Sequence, residues 1–305
     1  MPGDLTWFSP QGLSVLDRAR ALGLPTSRYG MDEGRLLFGP EGPTFALTTR
    51  AVGPAYQGSW DALMFKLLAA TGVDEAYYSR WGLGFSPDIF ADPSENADSV
   101  ATNVAQLAFA LADLPSVPTT NTTAIESSPL DPSSSSSSNS SSIVDGVVGL
   151  DGGVRVVALL FHHHPWLNAS ESGSGVTSAS VNVQLCGAPG GSVGKAVTNA
   201  TSMRVGAGSA NAWPAWSAAA AAANLSFTSG DYRSGWSAWS DSPPLASTRA
   251  QATLIGVMPA LQAAAALVRE PLAGGAAVGT DACLRFQVTL QPHEVALVEI
   301  VLPMS

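Results

Sequence analysis

Glu33 closes the segment Ser27-Arg28-Tyr29-Gly30-Met31-Asp32-Glu33, and Gly34 follows it at once. A carboxylate at the end of a short extended run can serve as a nucleophile or as a general acid/base. In chains that alternate helix and strand, the C-terminal strand ends are where barrel enzymes gather their catalytic groups. Asp-Glu-Gly also reads as an ordinary surface turn, so spacing alone leaves both uses open. Tyr29 and Trp81 stand at the ends of two successive predicted strands. Aromatic faces pack on the apolar face of a sugar ring, which makes Glu33, Tyr29 and Trp81 a coherent carbohydrate set; core packing is the plainer use of both rings.

His162-His163-His164 follows the apolar run of another predicted strand. Side chains alternate across a strand, so at most two of the three histidines can share a metal, and no carboxylate or cysteine stands at ligand spacing. Neither a metal nor a cofactor is expected. Gly187, Gly190, Gly191 and Gly194 precede no predicted helix, which argues against a phosphate cradle. Trp213, Trp216, Trp236 and Trp239 either form a sugar platform or pin a helical insert to its support, and pinning is the expectation. No Ser-His-Asp or Cys-His set assembles from spacing. Cys186 and Cys283 fit no metal site; a disulfide and two free buried thiols remain open.

The elements that must position these groups fall in two halves. Ser9-Pro10 opens a predicted helix that runs to Leu22 and stops at Gly23-Leu24-Pro25. A short strand ends at Glu33, and Arg35–Ala55 reads as Pro/Gly loop. A helix over Tyr56–Ala70 places Trp60, Leu63, Met64, Leu67 and Leu68 on one side. Val73–Trp81 reads as strand and Ser99–Leu114 as helix. This alternation is a parallel α/β pattern over 1–115. Residues 116–142 include six consecutive serines, Ser133–Ser138, and read as a disordered linker. Over 143–305 the period changes to two. Ile143–Leu150, Val154–Phe161, Val176–Leu185, Ala196–Val205, Cys283–Leu290 and Val295–Leu302 read as strands of a β-sandwich. Helical inserts are expected over Trp213–Asn224 and Thr248–Val268.

Of the 305 residues, 46% are hydrophobic and only 12% charged, with a net charge of −10. That balance excludes nucleic acid and anionic membrane as partners and suits a neutral or weakly charged substrate. No apolar run is long enough to span a bilayer. Met1–Phe8 lacks the features of a signal peptide, whereas Asn121, Asn139, Asn168, Asn199 and Asn224 all head N-glycosylation sequons. Loss of the original N-terminus would reconcile the two, with the protein in the secretory pathway, lysosomal, vacuolar or extracellular.

Several segments share an order with a known family. They are Ala21-Leu-Gly-Leu-Pro25, Tyr29-Gly-Met-Asp-Glu33, Trp60-Asp-Ala-Leu-Met-Phe-Lys66 and Gly72-Val-Asp74. Trp81-Gly-Leu-Gly84, Leu159-Leu-Phe-His-His163 and the closing run Leu290–Ile300 follow. In that order the chain resembles the C-terminal part of family 39-type glycoside hydrolases, the group of β-xylosidases and α-L-iduronidases. The resemblance implies the last two strands and three helices of a (β/α)8 TIM barrel followed by a β-sandwich. It implies a retaining hydrolase of O-glycosyl bonds, with Glu33 as nucleophile and a carbohydrate as substrate. Trp81 maps to a rim position and Asp88 to a loop holding a substrate-contacting Asp. The family's acid/base carboxylate lies on an earlier strand that has no counterpart here, so trace or no activity is expected of this chain by itself. The alternative from another class is a non-catalytic carbohydrate-binding or scaffold protein.

Overall fold

The computed structural model describes residues 22, 30–31, 52–71, 75–76, 100–111, 142–151, 154–165, 167–170, 174–187, 192–224 and 246–302. The expected helix over 9–22 and the serine tract therefore lie outside the described residues, apart from Leu22 and Ser142.

Strands β1 (Gly30–Met31) and β2 (Glu75–Ala76) pair in parallel, with Gly30 opposite Glu75 and Met31 opposite Ala76. Parallel neighbours need a long crossover. Helix α1 (Val52–Thr71) lies in that connection and begins a turn before the expected Tyr56. Pro54 is tolerated there because the N–H it lacks has no intrahelical partner in a first turn. Helix α2 (Val100–Phe109) is shorter than expected. Its end tightens, with Ala110 N donating to Leu107 O and Leu111 N to Ala108 O.

Two antiparallel sheets dominate the rest. One has five strands in the order β3 (Ile143–Asp151), β4 (Arg155–His163), β11 (Val295–Val301), β7 (Asn199–Val205) and β8 (Glu270–Pro271). The other has four, in the order β5 (Ala179–Cys186), β10 (Cys283–Leu290), β9 (Ala276–Val278) and β6 (Ala196–Val197). The expected single strand Ala196–Val205 is two: it breaks at Thr198, β6 pairing with β9 and β7 with β11. Helices α3 (Trp213–Ala222) and α4 (Ala246–Ala265) match the expected inserts and pack on each other.

Burial separates the strands in a way that a uniform period of two does not capture. In β10, Leu284, Phe286, Val288 and Leu290 are buried while Arg285, Gln287 and Thr289 face outward. Strand β4, by contrast, is buried from Val156 to His163 without alternation, and β11 from Val295 to Ile300. The reason is a second core. Val156, Ala158, Leu160, Val298 and Ile300 meet the four-stranded sheet, whereas Val157, Leu159, Phe161, Val295 and Leu297 meet Trp60, Leu63, Met64, Val104 and Leu107 of α1 and α2. The central strands are covered on both faces, which explains their continuous apolar runs.

That covering changes α1 as well. Rather than one apolar stripe, the helix is buried all round from Ala55 to Met64, polar Gln57, Ser59 and Asp61 included. Gln57 Nε2 donates to Asp61 Oδ1 at 2.8 Å, one turn on, and Lys66 forms an ion pair with Asp145 of β3. Buried polar groups are tolerated when bonded in this way.

Candidate functional site

Glu33, Tyr29, Trp81 and Asp88 lie outside the described residues. The strands next to them do not: β1 begins directly after Tyr29 and ends two residues before Glu33, β2 precedes Trp81 and Asp88, and the two strands run parallel and end side by side. In sequence Glu33 follows Met31 by two residues, and Trp81 follows Ala76 by five.

The histidines divide as strand alternation requires. His162 turns toward the four-stranded sheet, its Nδ1 lying 3.4 Å from Leu290 O. His163 turns toward α1, where its Nδ1 lies 2.9 Å from Ser59 Oγ and its ring packs against Tyr56 and Trp60. His293 joins from the turn between β10 and β11, 5.0 Å from the Tyr56 ring and with φ of 62°. Burial is the first cause that lowers the pKa of all three, and repulsion from neighbouring histidines, His164 acting on each of them, adds to it; for His163 the value falls to about 3. For His162 the Leu290 carbonyl opposes the shift without reversing it. These are neutral packing groups. Ser59 and His163 form a serine–histidine contact that sequence reasoning missed, since 104 positions separate them. Both are sealed from solvent, so the contact fastens a helix to a strand and does not present a nucleophile.

Clefts open elsewhere among the described residues, and two of them contain acidic residues. The first, about 470 Å³, lies between the turns 206–209 and 291–294 and residues 169–170 and 174–176. Its one acidic lining residue, Glu294, is held by Gln291 N at 2.8 Å and Arg204 Nη1 at 3.1 Å. The second, about 540 Å³, lies over the outer face of the five-stranded sheet where Arg155, Glu299 and Arg269 meet. Burial works to raise the Glu299 pKa, but hydrogen bonds from Arg155 and Arg269 outweigh it and hold the carboxyl below its ordinary value. Among the described residues no group of three or more His, Cys, Asp or Glu is arranged to hold a metal.

Cys186 and Cys283 face each other across β5 and β10 and form a disulfide, Cα to Cα 3.9 Å. Trp216 is fully buried, so it packs and cannot serve as an open sugar platform. Trp236 and Trp239 lie outside the described residues.

No protein-family profile matches the chain, and no curated protein matches it. Among solved structures, the chain is similar to the GH39 enzyme from Xanthomonas axonopodis pv. citri, with 11% identity and a TM-score of 0.42. The likeness covers 87% of this chain and 43% of that one, so the chain spans less than half the length of that enzyme. A likeness at this level assigns no function.

Proposed function

We propose that this chain carries the nucleophile half of a retaining glycoside hydrolase site, at the end of a partial (β/α)8 barrel attached to the sandwich. Glu33 is the nucleophile, with Tyr29, Trp81 and Asp88 as carbohydrate contacts. The observation that supports this most is the parallel pairing of β1 with β2 through α1, the unit from which such barrels are built. In the reaction, the Glu33 carboxylate attacks the anomeric carbon and the C–O bond to the leaving group breaks, giving a glycosyl ester. Water then cleaves the ester. A second carboxyl about 5–5.5 Å away normally protonates the leaving oxygen and afterwards takes the proton from that water. Neither described cleft supplies a free one, since Glu294 and Glu299 are each engaged by arginine.

A secretory location fits the Cys186–Cys283 disulfide, because such bonds persist in oxidising compartments. It fits the exposed sequon residue Asn224 as well. The second reading, a non-catalytic carbohydrate-binding or scaffold protein, is favoured by the same lack of a free carboxylate pair in the described clefts.

The test is turnover of aryl glycosides that differ in leaving-group pKa. A site with a nucleophile and no acid cleaves dinitrophenyl glycosides slowly and methyl glycosides not at all, and Glu33→Gln abolishes the slow cleavage. Fast cleavage of unactivated glycosides, unchanged in Glu33→Gln, would overturn the proposal.

A further inference from the structure

The second cleft has a chemistry of its own. Arg155 starts β4, Glu299 lies in β11, Arg269 stands just before β8, and Asn199 and Thr201 belong to β7. The pairing Val301↔Arg155, Val301↔Asn199 and Glu299↔Thr201 brings these positions together on neighbouring strands. The face they occupy is the one that α1 and α2 cover further along the sheet, at Val157, Leu159 and Leu297. Here no described helix covers it, and the cleft opens instead.

Within it, each oxygen of one carboxylate takes a different guanidinium. Arg155 Nη2 donates to Glu299 Oε1 at 2.5 Å, and Arg269 Nη1 donates to Glu299 Oε2 and to Thr201 Oγ1, the latter at 3.2 Å. The Glu299 side chain is 9% exposed, whereas those of Arg155 and Arg269 are 38% and 53% exposed. Two positive charges over one negative leave a surplus of one. A guanidinium offers five N–H donors in a fixed fork, and the bonds to Glu299 and Thr201 use only part of them. Glu299 thus holds two forks in place without saturating them. Thr198 and Asn199 add neutral polar groups to the wall. In a chain of net charge −10, this is a local reversal of sign.

We propose that the Arg155–Glu299–Arg269 cleft is an oxyanion-binding site that takes a carboxylate or sulfate group between the two guanidiniums. Such planar or tetrahedral anions match the paired N–H geometry of arginine. Glu299 is a positioning residue: it orients both forks and sets their net charge.

The test uses the full chain made without N-glycosylation, so that the Asn199 sequon leaves the cleft open, with inorganic sulfate and acetate as separate probes in calorimetric titrations. Saturable binding of either probe that weakens as sodium chloride rises is expected. Arg269→Gln, at an exposed position, lowers the affinity at least tenfold while the circular dichroism spectrum stays unchanged. Glu299→Gln keeps a hydrogen-bond acceptor between the forks but removes the counter-charge, so it raises the affinity several-fold; a fall in affinity with an unchanged circular dichroism spectrum would overturn the role given to Glu299. The absence of saturable binding by the unaltered chain would overturn the proposal. So would binding that Arg269→Gln leaves intact.

Discussion

Ser59 Oγ and His163 Nδ1 meet at 2.9 Å in a buried contact that fastens the middle of α1 to the end of β4. The Ser59 hydroxyl also donates to Tyr56 O at 2.9 Å. With its one proton committed there, the oxygen accepts from His163, which selects the Nδ1–H tautomer. Burial keeps this imidazole neutral: the ring is walled by Tyr56 and Trp60, and repulsion from His164 and His162 adds to the effect.

That neutrality makes stability depend on pH. An unfolded histidine titrates near 6.5, whereas folded His163 titrates at about 3. Between those values the unfolded chain takes up a proton that the folded one refuses. Stability from this group is therefore complete above about pH 6.5, falls as pH drops, and stops falling below about pH 3. The slope is about 1.4 kcal/mol per pH unit for one such group, and His162 and His293 add in the same direction. Denaturant titrations from about pH 7 to about pH 5 should show this loss, and His163→Gln should remove about one proton from the slope. An unchanged slope would show that His163 is not the buried neutral group.

Asn103 joins α2 to two distant carbonyls. Its side-chain amide donates to Ala210 O at 3.0 Å and Ala265 O at 2.7 Å, and the residue is fully buried. Asn103→Ala strands both carbonyls and should cost about 1–3 kcal/mol. Asn103→Asp should cost more, because it sets a carboxylate against two acceptors. Chemical denaturation of the three proteins checks the order; an aspartate variant as stable as the parent would contradict it.

Two glycines should respond with opposite signs. A Cβ at Gly146 in β3 would meet Leu159 O and Leu160 Cδ2 at 2.6 Å, and the first of these is backbone. Gly146→Ala should destabilise by about 1–3 kcal/mol. Gly256 lies exposed within α4, where a Cβ meets nothing within 4 Å. Gly256→Ala should stabilise by about 0.5–1 kcal/mol. Thermal melts of both variants read the two signs directly.

The disulfide spans 97 positions of sequence. Closing a loop of about 100 residues removes unfolded-chain entropy worth about 4.7 kcal/mol, with measured effects typically about 2–4 kcal/mol. The double variant Cys186→Ser/Cys283→Ser should lose stability in that range, measured by denaturant unfolding without reductant. A loss under about 0.5 kcal/mol would mean that the bond adds nothing to the fold.

Much of the sandwich was legible because its strands and inserts carry local signals. The alternation of Cys283–Leu290 gave β10, and the helical composition of Thr248–Val268 gave α4 within three residues at each end. Strands β8 and β9 carry no local signal, being two and three residues long and separated by the positive-φ pair Gly274 and Gly275. The break at Thr198 was invisible because both halves suit a strand, and only their pairing with different sheets divides them. The all-round burial of α1 depends on a sheet face that forms some 90 positions later, so no local pattern announces it. The same holds for the second cleft, whose charged groups Arg155, Arg269 and Glu299 stand far apart in sequence. The cysteine pair was visible, and the register Cys283↔Cys186 sets the two side by side, where they form the disulfide.

The most direct measurement for the central claim is covalent trapping at Glu33. A 2-deoxy-2-fluoro xylosyl fluoride loses fluoride without needing a proton, and its fluorine slows hydrolysis of the ester, so a nucleophile lacking its acid partner can still be labelled. Peptide mass spectrometry after incubation should find one fluoroxylosyl group on the peptide that contains Glu33, and none in Glu33→Gln. A label on another carboxylate, or no label in the folded chain, would contradict the assignment of Glu33 as the nucleophile.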